Sequence, residues 1–277
     1  MVLQPDPSID TCVEARLNLK PPLLRECQKH FTEPFEQDKV ISGGSTGLVV
    51  RLPCGHVRKQ PHPDFEPWMR EDSLQEIRRE YEIYCRIVNK PHFLEMIDFS
   101  EQHGIILQGV EGHTLRNYLE DQDTCIPLSK RIEWARDMAV ALHSLHVSNI
   151  IHADVKPENM LLDESHKVYL IDFSGSWIDG KPGSIVENYR FFLPRDIQAD
   201  STVQTDIFAF GSTLYEIMTS TQPYHDLDDE KVQELYQQGI FPSLDSVPCG
   251  QIIKKCWTGV FLSVKDIQVE LQEVQGS

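Results

Sequence analysis

The sequence predicts an α+β fold, a small antiparallel β-sheet followed by a mainly helical part. Three observations predict it. Near residue 40, two β-rich runs flank a glycine turn in Val40-Ile41-Ser42-Gly43-Gly44-Ser45-Thr46-Gly47-Leu48-Val49-Val50-Arg51-Leu52, the pattern of a hairpin. Further on, Ile132, Ala135, Met138, Ala139, Leu142 and Leu145 make a helical stripe, and a second apolar helix runs from Thr205 through Met218. Between them, His152 to Asp172 gathers polar groups of the kind that do chemistry: Asp154, Lys156 and Asn159, then the apolar run Val168-Tyr169-Leu170-Ile171, then Asp172 and Phe173.

At 277 residues the chain can bury a substantial core, and it suits one two-lobed domain or two small ones. Its 40% hydrophobic and 25% charged content are those of a soluble globular protein. No run of about 18 apolar residues is present, which argues against a membrane span, and the start Met1-Val2-Leu3-Gln4-Pro5-Asp6 does not read as a secretory signal. With 43 acids against 26 Lys and Arg, the net charge of −17 argues against nucleic acid or an anionic membrane as the main partner. Seven cysteines, Cys12, Cys27, Cys54, Cys85, Cys125, Cys249 and Cys256, are scattered with no C-x-x-C pair. They read as reduced thiols in a cytoplasmic or nuclear compartment, not as disulfides or zinc ligands.

Taken in order, residues 1–35 carry Pro5, Pro7, Pro21, Pro22 and Pro34, which break any long element, and read as an extension. After the glycine hairpin, a tight turn at Pro53-Cys54-Gly55 leads into a strand, His56-Val57-Arg58-Lys59. Val57 and Lys59 share one face of that strand and Arg58 points to the other. A helix from about Glu71 to Val88 follows, with Ile77, Tyr81, Tyr84 and Val88 as its stripe. At about 100° per residue Glu80 sits about 60° from the stripe centre while Glu82 falls on the far side. Phe93 to Phe99 and Ile105 to Leu107 read as two strands that complete the sheet. Leu115, Tyr118 and Leu119 suit a short helix, and Ser129 suits the cap of the long one after it. A last helix runs from Ser263 to Val274, and no internal repeat or low-complexity segment is present.

The order Asp154, Lys156, Asn159, apolar strand, Asp172-Phe173 resembles the catalytic and metal loops of the eukaryotic protein kinases. So do Asp206-Ile207-Phe208-Ala209-Phe210-Gly211, with Phe208 in the place of Trp, and Thr221-Gln222-Pro223-Tyr224. With Lys255-Cys256-Trp257, the style of the match is similar to small, divergent fungal kinase-like proteins of serine/threonine type. The resemblance implies a two-lobed kinase-like fold over residues 36–277, the smaller lobe at 36–108 and the larger at 109–277. It implies Mg²⁺ and ATP as cofactors and a protein as acceptor, with Asp154 as the base and Asn159 and Asp172 on the metal. Lys59, held by Glu80, would position the phosphates, and Lys156 would neutralise charge at the attacking oxygen. The hairpin fits a phosphate-covering loop with Ser42 in the first glycine place, then Gly44, Gly47 and Val49; glycine lets backbone N–H groups approach phosphate oxygens. Val57 and Leu161 would cover the two faces of the adenine. Leu107 would lie behind it, and the backbone near Gln108 and Val110 at its edge.

Three positions depart from the family pattern. Ala153 stands in place of the Arg of H-R-D, which removes the usual phosphate-binding cation but not the chemistry. Ser174 replaces the Gly of D-F-G and narrows the backbone choices there. Leu193-Pro194-Arg195 stands where A-P-E is expected, and the Arg that normally pairs with that Glu falls at about Ser263, so both partners of the pair are expected to be missing together. Three readings stay open: an active protein kinase of serine/threonine type working as a monomer, a pseudokinase scaffold, and a small-molecule phosphotransferase.

Overall fold

The computed structural model describes residues 39–44, 46–121, 125–184 and 187–275. The expected extension at 1–35 and Ser45 of the hairpin lie outside the described residues. The chain divides into two compact units. One holds the described residues up to Lys90, then Leu94–Val110 and Asp172–Ser174; the other holds Pro91–Phe93, Glu111–Ile171 and the described residues from Gly175 onward.

Among the described residues, the first unit is a five-stranded antiparallel sheet with one helix. Its strands are β1 (Lys39–Gly44), β2 (Gly47–Arg51), β3 (Val57–Gln60), β4 (Met96–Ser100) and β5 (Gly104–Leu107), in the order β1-β2-β3-β5-β4. The hairpin forms because Gly47 takes φ +142°, and a Cβ at this site would stand 2.1 Å from the Gln60 carbonyl oxygen. The Pro53-Cys54-Gly55 turn is closed by the Leu52 N–H on the His56 carbonyl at 2.9 Å. Lys59 pairs with Val49 and Ile105, while Arg58 pairs with Val50 and Ile106, so the two cations leave the strand on opposite faces. One face carries the cluster Val50, Leu52, Ile97 and Ile106. Helix α1 (Pro67–Arg86) packs on β3, β5 and β4.

Helix α1 begins four residues before the expected Glu71, because Pro67 takes the first helical turn, where its missing N–H is no loss. It ends at Arg86, so Val88 lies beyond it, and its buried face is Leu74, Ile77, Glu80, Ile83 and Tyr84. Tyr81 is only half-buried and instead stacks on Phe99, with ring centroids 4.1 Å apart. The first of the two expected later strands starts at Met96 instead of Phe93.

In the second unit, β6 (Gly112–Thr114) leads into α2 (Leu115–Glu120), which Thr114 caps by accepting from the Asn117 N–H. Helix α3 (Leu128–His146) buries all six residues of its predicted stripe, with Trp134 and Ala141 beside them. Ser129 does not cap it; Pro127 holds the cap position, without a side-chain bond, and Ser129 sits inside the first turn. Short strands β7 (Ile150–Ile151), β8 (Met160–Asp163), β9 (Val168–Leu170) and β10 (Trp177–Ile178) build two small sheets, β6-β8-β9 and β10-β7. Helix α4 (Val203–Thr219) is buried on nearly every side and starts with a capping box between Thr202 and Thr205. Helices α5 (Asp229–Gln237), α6 (Gly250–Trp257) and α7 (Val264–Glu273) follow, α6 packing on α4 and α7 on α3. The whole is the α+β arrangement expected. The segment after Asp172 is less polar than its composition suggests, since Phe173, Ile178, Phe191 and Phe192 are buried.

One expectation about cysteines needs correction. Cys54, Cys125, Cys249 and Cys256 are free thiols, but Cys85 is disulfide-bonded. Spacing in the chain carries no information on which thiols meet in space.

Helices α4 and α6 touch at Gly211. A Cβ there would lie 2.7 Å from Cys256 Cβ and 3.2 Å from the Trp257 ring. Gly211→Ala should therefore destabilise the protein by about 1–3 kcal/mol through overpacking. A urea denaturation midpoint equal to that of the parent would refute this close approach.

Candidate active site

In the first unit, the predicted cation and two of the predicted acids meet. Lys59 is 8% exposed and its Nζ lies 2.6 Å from Asp172 Oδ1 and 2.8 Å from Glu80 Oε2. Strand β3 brings the lysine and α1 the glutamate; Glu80 is 1% exposed, while Glu82 faces solvent. Burial alone would lower the lysine's pKa, but the Asp172 and Glu80 carboxylates outweigh it and hold the ammonium above the ordinary lysine range. Burial also raises Glu80, against the pull of Lys59, and the Phe173 backbone gives it a further hydrogen bond. Removing either Lys59 or Glu80 would strand a buried charge, a loss of about 3–5 kcal/mol.

Asp172 has a left-handed backbone, φ 65°, and its Oδ1 also accepts from the Ser174 hydroxyl at 2.8 Å. Phe173 is fully buried and meets Tyr84 of α1 edge-on at 5.3 Å. Ser42 and Val49 face each other across the hairpin, as do Gly44 and Gly47. Val57 is half-buried opposite Leu107, which closes β5 and is itself buried. After it, the Gln108 N–H donates to the Glu95 carbonyl at 2.8 Å and the Val110 carbonyl accepts from Arg51 Nη2 at 3.2 Å.

In the second unit, the loop from His152 to Asn159 is held from below and from within. Asp206, buried on α4, accepts the His152 N–H and the Ala153 N–H at 2.9 Å each, and His146 lies 2.8 Å from it. Ala153 is buried with φ 64°, a conformation alanine disfavours. Asn159, on the 3₁₀ turn Pro157–Asn159, donates both amide hydrogens to Asp154, at 2.9 Å to its carbonyl and 2.8 Å to its Oδ2. The amide's remaining ligand atom is its carbonyl oxygen, a hard donor suited to a divalent cation. Lys156 Nζ stands 2.8 Å from Asp154 Oδ2. Leu161 is half-buried on β8, between Thr114 and Tyr169.

The sequence profile described as "Protein kinase domain" matches residues 59–259. This chain belongs to the protein kinase family. "Dual specificity protein kinase shkC" of Dictyostelium discoideum is 30% identical to it over 259 residues, 86% of this chain and 49% of that protein. "Probable serine/threonine-protein kinase kinX" of the same organism is 30% identical over 193 residues, 67% of this chain and 17% of that protein. "Serine/threonine-protein kinase PknD" of Mycobacterium tuberculosis is 30% identical over 146 residues, 50% of this chain and 22% of that protein. The match thus spans at most about half the length of these relatives.

The departures from the kinase pattern acquire a local account. Ser174 was expected only to restrict the backbone, and its hydroxyl in fact holds the Asp172 carboxylate. Arg195 does not stand without its acid. Its Nη2 lies 2.9 Å from Glu187 Oε2, a carboxylate buried eight residues upstream, and 3.3 Å from the Ser201 hydroxyl. The ion pair is rewired within one segment, not lost with its partner, and a motif comparison looks for the acid only at position 195. Arg116 was also missed. Its Nε and Nη2 donate to the two oxygens of Glu216 at 2.8 and 2.7 Å, and its Nη1 pairs with Glu158. The three lie 42 and 58 residues apart in sequence, and no spacing signals them.

Burial pushes the Glu216 carboxyl from 4.5 up to about 7, against the pull of Arg116; Glu158 and Glu120 add to the rise. The folded form therefore binds a proton that the unfolded form has released between these two values. The stability this group contributes is complete below about 4.5 and is lost as pH rises through about 7. Glu216→Gln should remove that slope. Urea midpoints of parent and variant taken from pH 5 to 8 test it, and a difference between the two that stays constant with pH would mean the carboxyl is ionised throughout.

Proposed function

We propose that this chain is an ATP- and Mg²⁺-dependent protein kinase that phosphorylates serine and threonine hydroxyls. The observation that carries the reading is the Lys59 ammonium, buried between Glu80 and Asp172. Burying a lysine and a glutamate together, with a third, partly exposed carboxylate on the same ammonium, is a poor way to gain stability, and apolar side chains would serve a core better. Such an arrangement is what phosphate binding requires: a fixed cation and a carboxylate beside it.

Asp154 accepts the proton of the acceptor hydroxyl. The oxygen then bonds to the γ-phosphorus of ATP, and the bond from that phosphorus to the β,γ-bridging oxygen breaks to release ADP. Lys156, bonded to Asp154, offsets charge at the attacking oxygen. Lys59 orients the phosphates, and Glu80 keeps the lysine extended toward them. Asn159, through its carbonyl oxygen, and Asp172 are the residues that would hold Mg²⁺, which would neutralise charge on the phosphates. The Gly44–Gly47 turn would supply backbone donors, and Val57 and Leu107 of the first unit and Leu161 of the second are the apolar residues the family pattern assigns to the base. Lys156, two residues after Asp154, supports a serine/threonine acceptor; relatives named as serine/threonine kinases support it too. The acidic balance of the chain fits a protein acceptor better than a nucleic acid.

The test is transfer of γ-phosphate from Mg-ATP to a mixed basic protein substrate, beside Asp154→Asn. Loss of a positioned base predicts a fall of about 10²- to 10⁴-fold. Transfer that persists in the variant would overturn the role given to Asp154. Transfer to amines or alcohols but not to proteins would point to a small-molecule phosphotransferase. Mg-ATP binding by thermal shift without any transfer would point to a scaffold.

A further inference from the structure

Helix α4 supports the loop that carries Asp154 at three places. Asp206 holds its start through the His152 and Ala153 N–H groups. The Thr213 hydroxyl donates to the Val155 carbonyl at 3.2 Å. Glu216 reaches its end indirectly, through Arg116 of α2 and on to Glu158. Glu158 sits in the 3₁₀ turn directly before Asn159, whose amide holds both the carbonyl and the carboxylate of Asp154.

We propose that Arg116 is a positioning residue for phosphoryl transfer: its planar fork locks Glu158 to α4, and so fixes the turn on which Asn159 orients Asp154. This rests on the kinase reading above. The charge arithmetic supports it. Two carboxylates converge on one guanidinium, and the Arg116 side chain is 11% exposed and that of Glu216 3%. A buried arginine–glutamate pair is a weak source of stability, and Glu158 joins it from a half-exposed position, so the geometry is better explained by what it aligns. Only an arginine can take both oxygens of Glu216 and still reach a second acid, because its donors diverge in one plane. Phe191 lies under the guanidinium at 5.9 Å and limits its tilt.

The test compares Arg116→Lys, Glu158→Gln and the double variant with the parent. Arg116→Lys keeps the charge and loses the fork. Glu158→Gln changes a side chain that is 39% exposed and breaks only the link to the loop, so it remains informative if the lysine variant fails to fold. Each single variant should lower kcat by about 10- to 100-fold, the loss expected when a catalytic group is displaced by a fraction of an ångström to an ångström. KM for Mg-ATP should stay within about threefold, and the double variant should be no worse than the worse single one. Backbone hydrogen exchange, read without substrate, should quicken at residues 154–159 and stay unchanged in the cores of α3 and α4. An unchanged kcat, losses that multiply in the double variant, or exchange that quickens evenly through the unit would each overturn the proposal. If the parent transfers no phosphate, exchange still decides. Local quickening would uphold the positioning role and place the failure on the kinase reading. No local quickening would overturn the positioning role itself.

Discussion

A single carboxylate under a loop decides much of the second unit. Asp206 accepts two consecutive backbone N–H groups, from His152 and Ala153, and a third bond from His146. Those backbone donors are buried, and without Asp206 they would go unsatisfied at a loss of about 1–3 kcal/mol each. The same bonds hold Ala153 at φ 64°, a region alanine enters only when its surroundings impose it. Turning the chain at this residue sends Asp154 and Asn159 toward one another, so that one amide can grip both the carbonyl and the carboxylate of Asp154. Helix α4 can carry a charge this deep because Asp206 lies in its first turn, where unpaired N–H groups and the helix dipole favour an anion.

The first unit works by the opposite device. Its polar centre is a cation between two anions, each brought by a different stretch of chain. Strand pairing sets where Lys59 leaves the sheet, and the helical phase of α1 sets where Glu80 arrives. Asp172 then comes from a separate stretch of chain and is steadied by Ser174. Lys59 or Glu80 alone would be unfavourable in this burial. Together they are mutually required, which is why the ammonium stays charged despite its surroundings.

How legible this was from the sequence depended on range. Periodicity identified the α3 stripe and chose Glu80 over Glu82, because both are local and follow from 3.6 residues per turn. The ends of elements were less legible: α1 starts at Pro67, and Pro127, not Ser129, precedes α3, because several polar or Pro residues near each end were equally eligible. Asp154, Lys156, Asn159 and Asp172 were picked by the resemblance of their order to a family pattern, and the structure brings Asn159 and Lys156 to the Asp154 carboxylate. What could not be read were contacts between distant residues with no motif of their own. Arg116 with Glu158 and Glu216, and Glu187 with Arg195, look in sequence like charges on solvated faces. The Cys85 disulfide was invisible for the same reason.

The departures from the family pattern look different once these contacts are included. A buried alanine at 153 has no cation to offer a phosphate on the segment that follows. A segment ordered by phosphate needs such a cation; a segment ordered by its own ion pairs does not. Here Arg195 is bonded to the buried Glu187 and packs over the Phe192 ring at 4.4 Å. Arg190, in between, pairs with Asp229 and donates to the Leu227 carbonyl, while Tyr236 donates to the carbonyl of Arg190 itself. Burial raises the Glu187 carboxyl and Arg195 opposes that rise, so the two charges sustain one another much as Lys59 and Glu80 do. Side-chain ion pairs thus tie down the described part of this segment without any charge at position 153.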